Sequence, residues 1–316
     1  MRLRSLGSKL KHRAARLRRV SIEHEKASIV IAKHYKTVQD EIRLLDRSTE
    51  TTTAVVIHLY YVESWQAISK KLASITAFPF DVFVSLPKHN LQFKSQILAS
   101  FPKAFVYEAP NRGRDVLPFI AISDSLYKKG YKYVLKLHSK KSTHRTDGSE
   151  WMSDILNSLV PTQKTTQLKI INTLQDTDVA MIGPKGQYTS LKVNFEANGT
   201  HMTRILTKLR SRTYAYDVLQ VHRADFGFFA GTMFWVNLES IQPLVIIAKK
   251  TRLFESEEGQ IDATYAHAIE RLLCVFPETE RKSIYEVGLT SIEKIAYSSG
   301  DVPDWSHVYI GPKAND

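Results

Sequence analysis

Ala104-Phe105-Val106-Tyr107-Glu108, then Pro110-Asn111-Arg112-Gly113-Arg114-Asp115, then an apolar-rich run from Val116 to Lys129, then Tyr131 to Leu137: these stretches follow one another almost without a break. They read as strand, turn, helix and strand. Upstream the same alternation holds. Ala54 to Leu59 is a β-rich apolar run, residues 63–76 place Trp65, Ile68, Leu72 and Ile75 on one helical face, Phe80 to Leu86 reads as a strand, and Leu91 to Phe101 as a helix. Alternating strands and helices predict a mostly parallel central sheet covered by helices on both faces. Ligands of such sheets bind outside the carboxyl ends of the strands. That rule singles out residues 58–62, 86–90, 109–115 and 138–147.

Downstream the pattern is less regular. Glu150 to Leu159 and Thr165 to Leu174 read as helices, Asp178 to Ile182 as a strand, Phe226 to Val236 as a long aromatic strand or hairpin, and Asp262 to Leu273 as a helix. Asp176-Thr177-Asp178 has the spelling of a metal-binding aspartate pair, but it precedes a strand and reads as a turn.

The chain has 316 residues, 43% hydrophobic and 24% charged, enough for one large domain or two small ones with a sizeable core. Its single cysteine, Cys274, lies in an apolar stretch and reads as a buried small hydrophobe. No run approaches the roughly 18 apolar residues of a transmembrane helix, and the basic start lacks the apolar centre of a signal peptide. The expected location is cytoplasmic, peripheral on the inner face of the membrane.

The net charge of +12 is unevenly placed: residues 1–20 hold eight Arg or Lys and no acid. Leu3, Leu6, Leu10, Ala14 and Leu17 form one apolar face of a helix whose other face is basic. An anionic membrane surface, nucleic acid and a merely solvated arm all remain open as its partners; the absence of stacking aromatics there weighs against nucleic acid. Ile31, Tyr35, Val38, Ile42 and Leu45 continue the helical spacing, and Arg47 to Thr53 reads as a linker. The expected organisation is a helical arm and linker over 1–50 and one domain over 51–316.

Four constellations can carry chemistry. In Asn111 to Asp115, the glycine permits a tight turn, Asp115 can cap the next helix, and Arg112 and Arg114 beside a helix start suit a diphosphate. In Lys136-Leu137-His138-Ser139-Lys140, cations gather at a strand end, where they can neutralise a leaving group. In Gly227 to Trp235, two glycines inside an aromatic strand point to a bulge or a close ligand. In Glu255 to Asp262, acids crowd a loop before the helix carrying His267, and Glu257, Glu258 or Asp262 can serve as a general base or simply favour the helix dipole. Nucleotide-binding loops, nucleophile elbows and zinc-protease signatures are absent.

Asn111 to Asp115, Tyr133 to Ser142, Gly231 to Trp235 and Ala266 to Arg271, in that order, resemble the rhamnan synthesis protein F family of polysaccharide transferases over residues 54–285. The resemblance implies a GT-A-like sheet, a nucleotide-sugar donor, nominally dTDP-rhamnose, and a growing, lipid-linked glycan acceptor. It places Arg112, Arg114 and Asp115, with Tyr60, Asn111, Lys136 and Lys140, near the donor. Gly231, Thr232, Phe234, Trp235 and His267 fall on the acceptor side. His138 stands where related enzymes hold metal-binding acids, so neither a metal nor another cofactor is expected. Asp262 is the expected base, Glu258 the second choice, and inversion the expected outcome. Partner transferases are compatible with this reading. The rivals are a non-catalytic carbohydrate or scaffold module and a nucleic-acid-binding protein, against which the near-neutral body argues.

Overall fold

The computed structural model describes residues 2–46, 51–139, 148–191, 195, 197–209 and 226–295, with side chains of the first helix described from Ile22 onward. Helix α1 spans Arg2–Leu44. Then come β1 (Thr53–His58), α2 (Trp65–Leu72), β2 (Asp81–Pro87), α3 (Lys94–Ser100), β3 (Phe105–Ala109), α4 (Val116–Lys128) and β4 (Tyr133–His138). The second half holds α5 (Gly148–Leu159), α6 (Lys164–Gln175), β5 (Val179–Pro184), β6 (Tyr188–Ser190), α7 (Gly199–Leu209), β7 (Gly227–Phe229), β8 (Phe234–Asn237), α8 (Leu238–Thr251), α9 (Tyr265–Thr279), β9 (Ser283–Val287) and β10 (Ile292–Lys294).

Eight strands form one sheet in the order β10-β9-β5-β8-β4-β1-β2-β3. It is mixed but mostly parallel, as the alternation predicts. β8 runs antiparallel to both neighbours, β4 and β5, and β10 runs antiparallel to β9. Every residue of β1 and β4 is buried, so both strands are sandwiched. Side chains alternate between two cores. Ala54, Val56 and Val134 face the core shared with α1, α4, α8 and α9. Val55, Ile57, Leu135 and Leu137 face the core beneath α2 and α5. Helix α4 is buried from Val116 to Leu126, because α1 and α8 cover the side that turns away from the sheet.

Two expectations change. The aromatic run 226–236 is not one strand. It breaks at a turn where Gly231 and Thr232 take φ of 88° and 54°. Its first half pairs with β6 outside the main sheet, and its second half enters the sheet as β8. The last long helix begins at Tyr265 rather than Asp262: Ala263 has φ 67°, and the Thr264 hydroxyl accepts the His267 amide proton as an N-cap. Cys274 is buried beside Met181, as its apolar setting predicts, and burial pushes its thiol pKa up.

Candidate functional site

The carboxyl ends of β1 and β4 lie side by side, with His58 paired in register with His138. Two residues before the end of β4 the apolar alternation is broken by Lys136, whose side chain is 1% exposed. Its ammonium donates to Asp115 Oδ2 and to the Thr232 carbonyl, the latter at 2.6 Å. Its remaining side faces the rings of Phe119 and Phe234, at 5.6 and 5.7 Å from their centroids. Asp115 sits at the N-cap position of α4, where the helix dipole also favours an anion. Burial by itself would raise the Asp115 carboxyl. Cationic His138 and Lys136, the Lys136 hydrogen bond and His58 outweigh it and hold Asp115 well below the usual carboxylate range.

Both ring nitrogens of His138 lie against carbonyl oxygens, Nε2 at 2.6 Å from Gly231 and Nδ1 at 3.1 Å from Ser139. A carbonyl only accepts, so the doubly protonated ring satisfies both contacts. Two cations thus stand around Asp115, and the Glu270 carboxylate reaches the same turn through the Thr232 hydroxyl. His58 differs: its Nδ1 is 2.9 Å from Ser85 Oγ, and burial pushes its pKa down to about 4, so it is neutral at pH 7. The neighbouring loops are tied to the same edge. The Tyr61 amide donates to Ser139 Oγ at 2.7 Å, and Asn90 Nδ2 donates to the Tyr60 carbonyl at 2.6 Å. Tyr60 is partly exposed and meets Tyr61 and His89 edge to face.

The turn between β7 and β8 is clamped from three sides. Lys136 and His138 hold the carbonyls of Thr232 and Gly231, and Thr232 Oγ1 donates to Glu270 Oε1 at 2.6 Å. A β-branched residue with φ of 54° is strained, and such strain persists only where the surroundings over-determine it. Gly231 has no tolerable substitute there, since a Cβ would lie 2.6 Å from the Trp151 ring. Arg114, also at positive φ, belongs to a second stitch: its Nε and backbone amide donate to the Glu257 carboxylate at 3.2 Å each, and Nη2 donates to the Gln260 carbonyl. Arg112 donates to the Phe254 carbonyl at 3.4 Å. The 253–262 loop is thereby fastened over the 111–115 turn.

Several expected site residues have other occupations. Phe234 and Trp235 are core residues, both 1% exposed, and the Trp235 indole donates to the Leu159 carbonyl at 2.8 Å; neither offers a face to an acceptor. Lys136 is saturated by Asp115, Thr232 and two rings, so it shapes the site from beneath. His267 is buried and completes the capping box of α9 with Thr264. Asp262 accepts from Asn198 at 2.9 Å and from Arg271 Nη2 at 3.2 Å to each oxygen. Burial would raise its carboxyl, but Asn198 and Arg271 prevail and lower it, which makes it a poor base. Glu258 is exposed on the outer side of the loop, Asn111 is exposed at the turn, and Lys140 lies outside the described residues.

Three further residues, His58, Ser139 and Glu270, have no role assigned from the sequence. His58 and Ser139 end a strand or follow one at the edge already singled out, and that rule alone finds them. Glu257, a candidate base in the sequence, instead accepts from Arg114. Glu270 follows His267 by three positions, one helical turn. Among the described residues no three His, Cys, Asp or Glu side chains converge as around a metal ion. Two surface clefts lie elsewhere. One reaches Asn237 and Glu239, at the sheet edge opposite His138, and the other reaches Asp176 and Ser291. Neither holds a buried ion cluster, so the chemistry favours the carboxyl edge.

Residues 16–281 match the family model described as rhamnan synthesis protein F. The chain is 36% identical over 169 residues to the uncharacterized protein WxcX of Xanthomonas campestris pv. campestris strain B100. It is also 36% identical over 163 residues to WxcX of a second strain of that pathovar. Each match covers 52% of this chain and 22% of the relative, so the chain spans about a fifth of the length of these curated relatives.

Proposed function

Since the chain belongs to the rhamnan synthesis protein F family, whose role is in polysaccharide synthesis, we propose that it is a glycosyltransferase acting at the carboxyl edge of its sheet. The observation that carries the proposal is the buried ionic cluster of Lys136, His138 and Asp115 beside the start of α4. Negative charge grows on the nucleoside diphosphate as the sugar–phosphate bond breaks. The fixed positive charge of Lys136 and His138 and a helix N-terminus stabilise it without reorganising. His138, the partly exposed Tyr60 and the 111–115 turn are assigned to the donor, dTDP-rhamnose being the family's nominal one. The Gly231–Thr232 turn is assigned to the acceptor side. With Asp262 pinned by Arg271, Glu270 becomes the proposed base: it is oriented by the Thr232 hydroxyl and borders the same turn. The sheet order, with one antiparallel strand beside β4, is compatible with a GT-A-like enzyme. Cations stand where acids hold metal in other such enzymes, which supports metal-independent transfer.

A non-catalytic module is the second reading. It is favoured by one observation: Arg114 and Lys136 are already satisfied by protein groups. A panel of nucleotide sugars, with and without EDTA, separates the two. The transferase reading expects thermal stabilisation and slow donor hydrolysis by one donor, unchanged by EDTA. Silence towards every donor favours the module, and activity lost to EDTA removes the metal-independent step.

A further inference from the structure

Helix α1 has two halves of different standing. From Ala27 to Ile42 it is docked: Ala27, Ile31, His34, Tyr35, Val38 and Ile42 are buried. The docked half runs alongside α4 in a fixed direction. Midway along it His34 stacks on Tyr107, with centroids 6.1 Å apart. Tyr107 is in register with Ser85, and Ser85 with His58, the last residue of β1. At its C-terminal end, Lys129, just past α4, donates to the Arg43 carbonyl at 2.9 Å. So α1 descends from the candidate-site edge to the opposite edge.

Everything before Ala27 therefore lies beyond the site edge. Ile22 to Lys26 are all exposed. The helix from Arg2 to Lys26 is about 37 Å long at 1.5 Å per residue. Its sequence carries the stripe Leu3, Leu6, Leu10, Ala14 and Leu17, in phase with the docked Ile31, Tyr35, Val38 and Ile42. It also carries eight basic residues and no acid within residues 1–20, and no Phe, Tyr or Trp precedes Tyr35.

We infer that residues 2–26 of α1 bind an anionic lipid surface at the same end of the molecule as the candidate site. The apolar stripe enters the interface and the basic side chains meet the headgroups. An amphipathic stripe without stacking aromatics suits lipid rather than a nucleic acid. The docked half turns this anchor into an orientation: the carboxyl edge faces the membrane. A lipid-linked acceptor would then arrive at the Gly231–Thr232 turn. That consequence rests on the transferase reading; the binding itself does not.

The test is co-sedimentation of the full chain with vesicles of phosphatidylcholine alone or mixed with phosphatidylglycerol. The expected result is binding only to the mixed vesicles, lost as salt rises. Replacing Arg13, Arg16, Arg18 and Arg19 together by Gln should weaken it about a thousand-fold, at about 1 kcal/mol for each basic side chain. Replacing Lys70 and Lys71 of α2 by Gln, the control, should leave it unchanged. Equal binding to neutral vesicles, no binding to either, or an equal loss in the control overturns the inference. So does a dimer seen by light scattering that the four arginine substitutions abolish, since a second copy would then occupy the stripe. Vesicle binding without donor turnover upholds the anchor and rejects the transferase reading; the converse does the reverse.

Discussion

Lys136 is the residue on which the site turns. A buried ion pair repays its desolvation only with excellent geometry and further hydrogen bonds. Here the ammonium finds a carboxylate, a carbonyl and two aromatic faces. The sequence shows the cation inside a strand but not that its partners are Asp115 and Thr232, 21 and 96 positions away. The same limit explains Asp262, whose expected role as base dissolves once Arg271 and Asn198 are seen to hold it. Two substitutions separate the carboxylates. Glu270→Gln keeps an acceptor for the Thr232 hydroxyl, so the fold should stand while transfer falls about 10²-fold or more; turnover near that of the unmodified chain removes Glu270 as base. Asp262→Asn leaves the buried Arg271 with only the more distant Glu270 carboxylate, 4.0 Å from its Nη1. It should lower thermal stability by roughly 1–3 kcal/mol, yet leave measurable turnover; loss of transfer with an unchanged melting temperature would return Asp262 to the chemistry.

At the scale of elements, the first half of the sheet is legible in the sequence because each strand is a short apolar run bounded by turn residues and each helix carries one apolar face. The second half is not. The β7–β8 break depends on a strained Thr232 that only the Lys136, His138 and Glu270 contacts hold in place, and local propensity carries no trace of them. β9 and the edge strand β10 are short and half exposed, so they lack the pattern that marks β1 or β4. Helix α1 is legible as a helix with an apolar face over Ile31 to Leu45, but the sequence leaves open whether that face packs on the body or on a second helix. Its docking carries a pH signature through His34, which faces the Tyr107 ring and borders Tyr35. Burial lowers the His34 pKa to about 4, against about 6.5 unfolded. A depressed histidine favours the fold while both states are neutral, so its contribution is intact above pH 6.5 and is lost as pH falls toward 4. Thermal melts of the wild type and of His34→Phe, which keeps the stack, should diverge between pH 7 and 5 by about 2 kcal/mol, the wild type losing more. Parallel curves would show that His34 is not buried neutral beside Tyr107.

At the scale of the whole molecule, one edge gathers everything that suggests function. The parallel strands deliver His58, Ser139 and His138 there, α4 begins there, the 253–262 loop is stitched down there, and α1 leaves the body there. No single motif states this; it follows from topology, which puts the carboxyl ends of β1 and β4 together although 80 positions separate His58 from His138. The sequence does identify the edge, through the rule for parallel sheets, while misassigning individual side chains upon it. Hydrogen–deuterium exchange with and without saturating dTDP tests the edge as a donor site without presupposing turnover. Protection concentrated in residues 58–61, 111–115, 136–139 and 231–232 is the expected result. Protection confined to the clefts near Asn237 or Ser291, or none anywhere, contradicts a nucleotide site at the carboxyl edge.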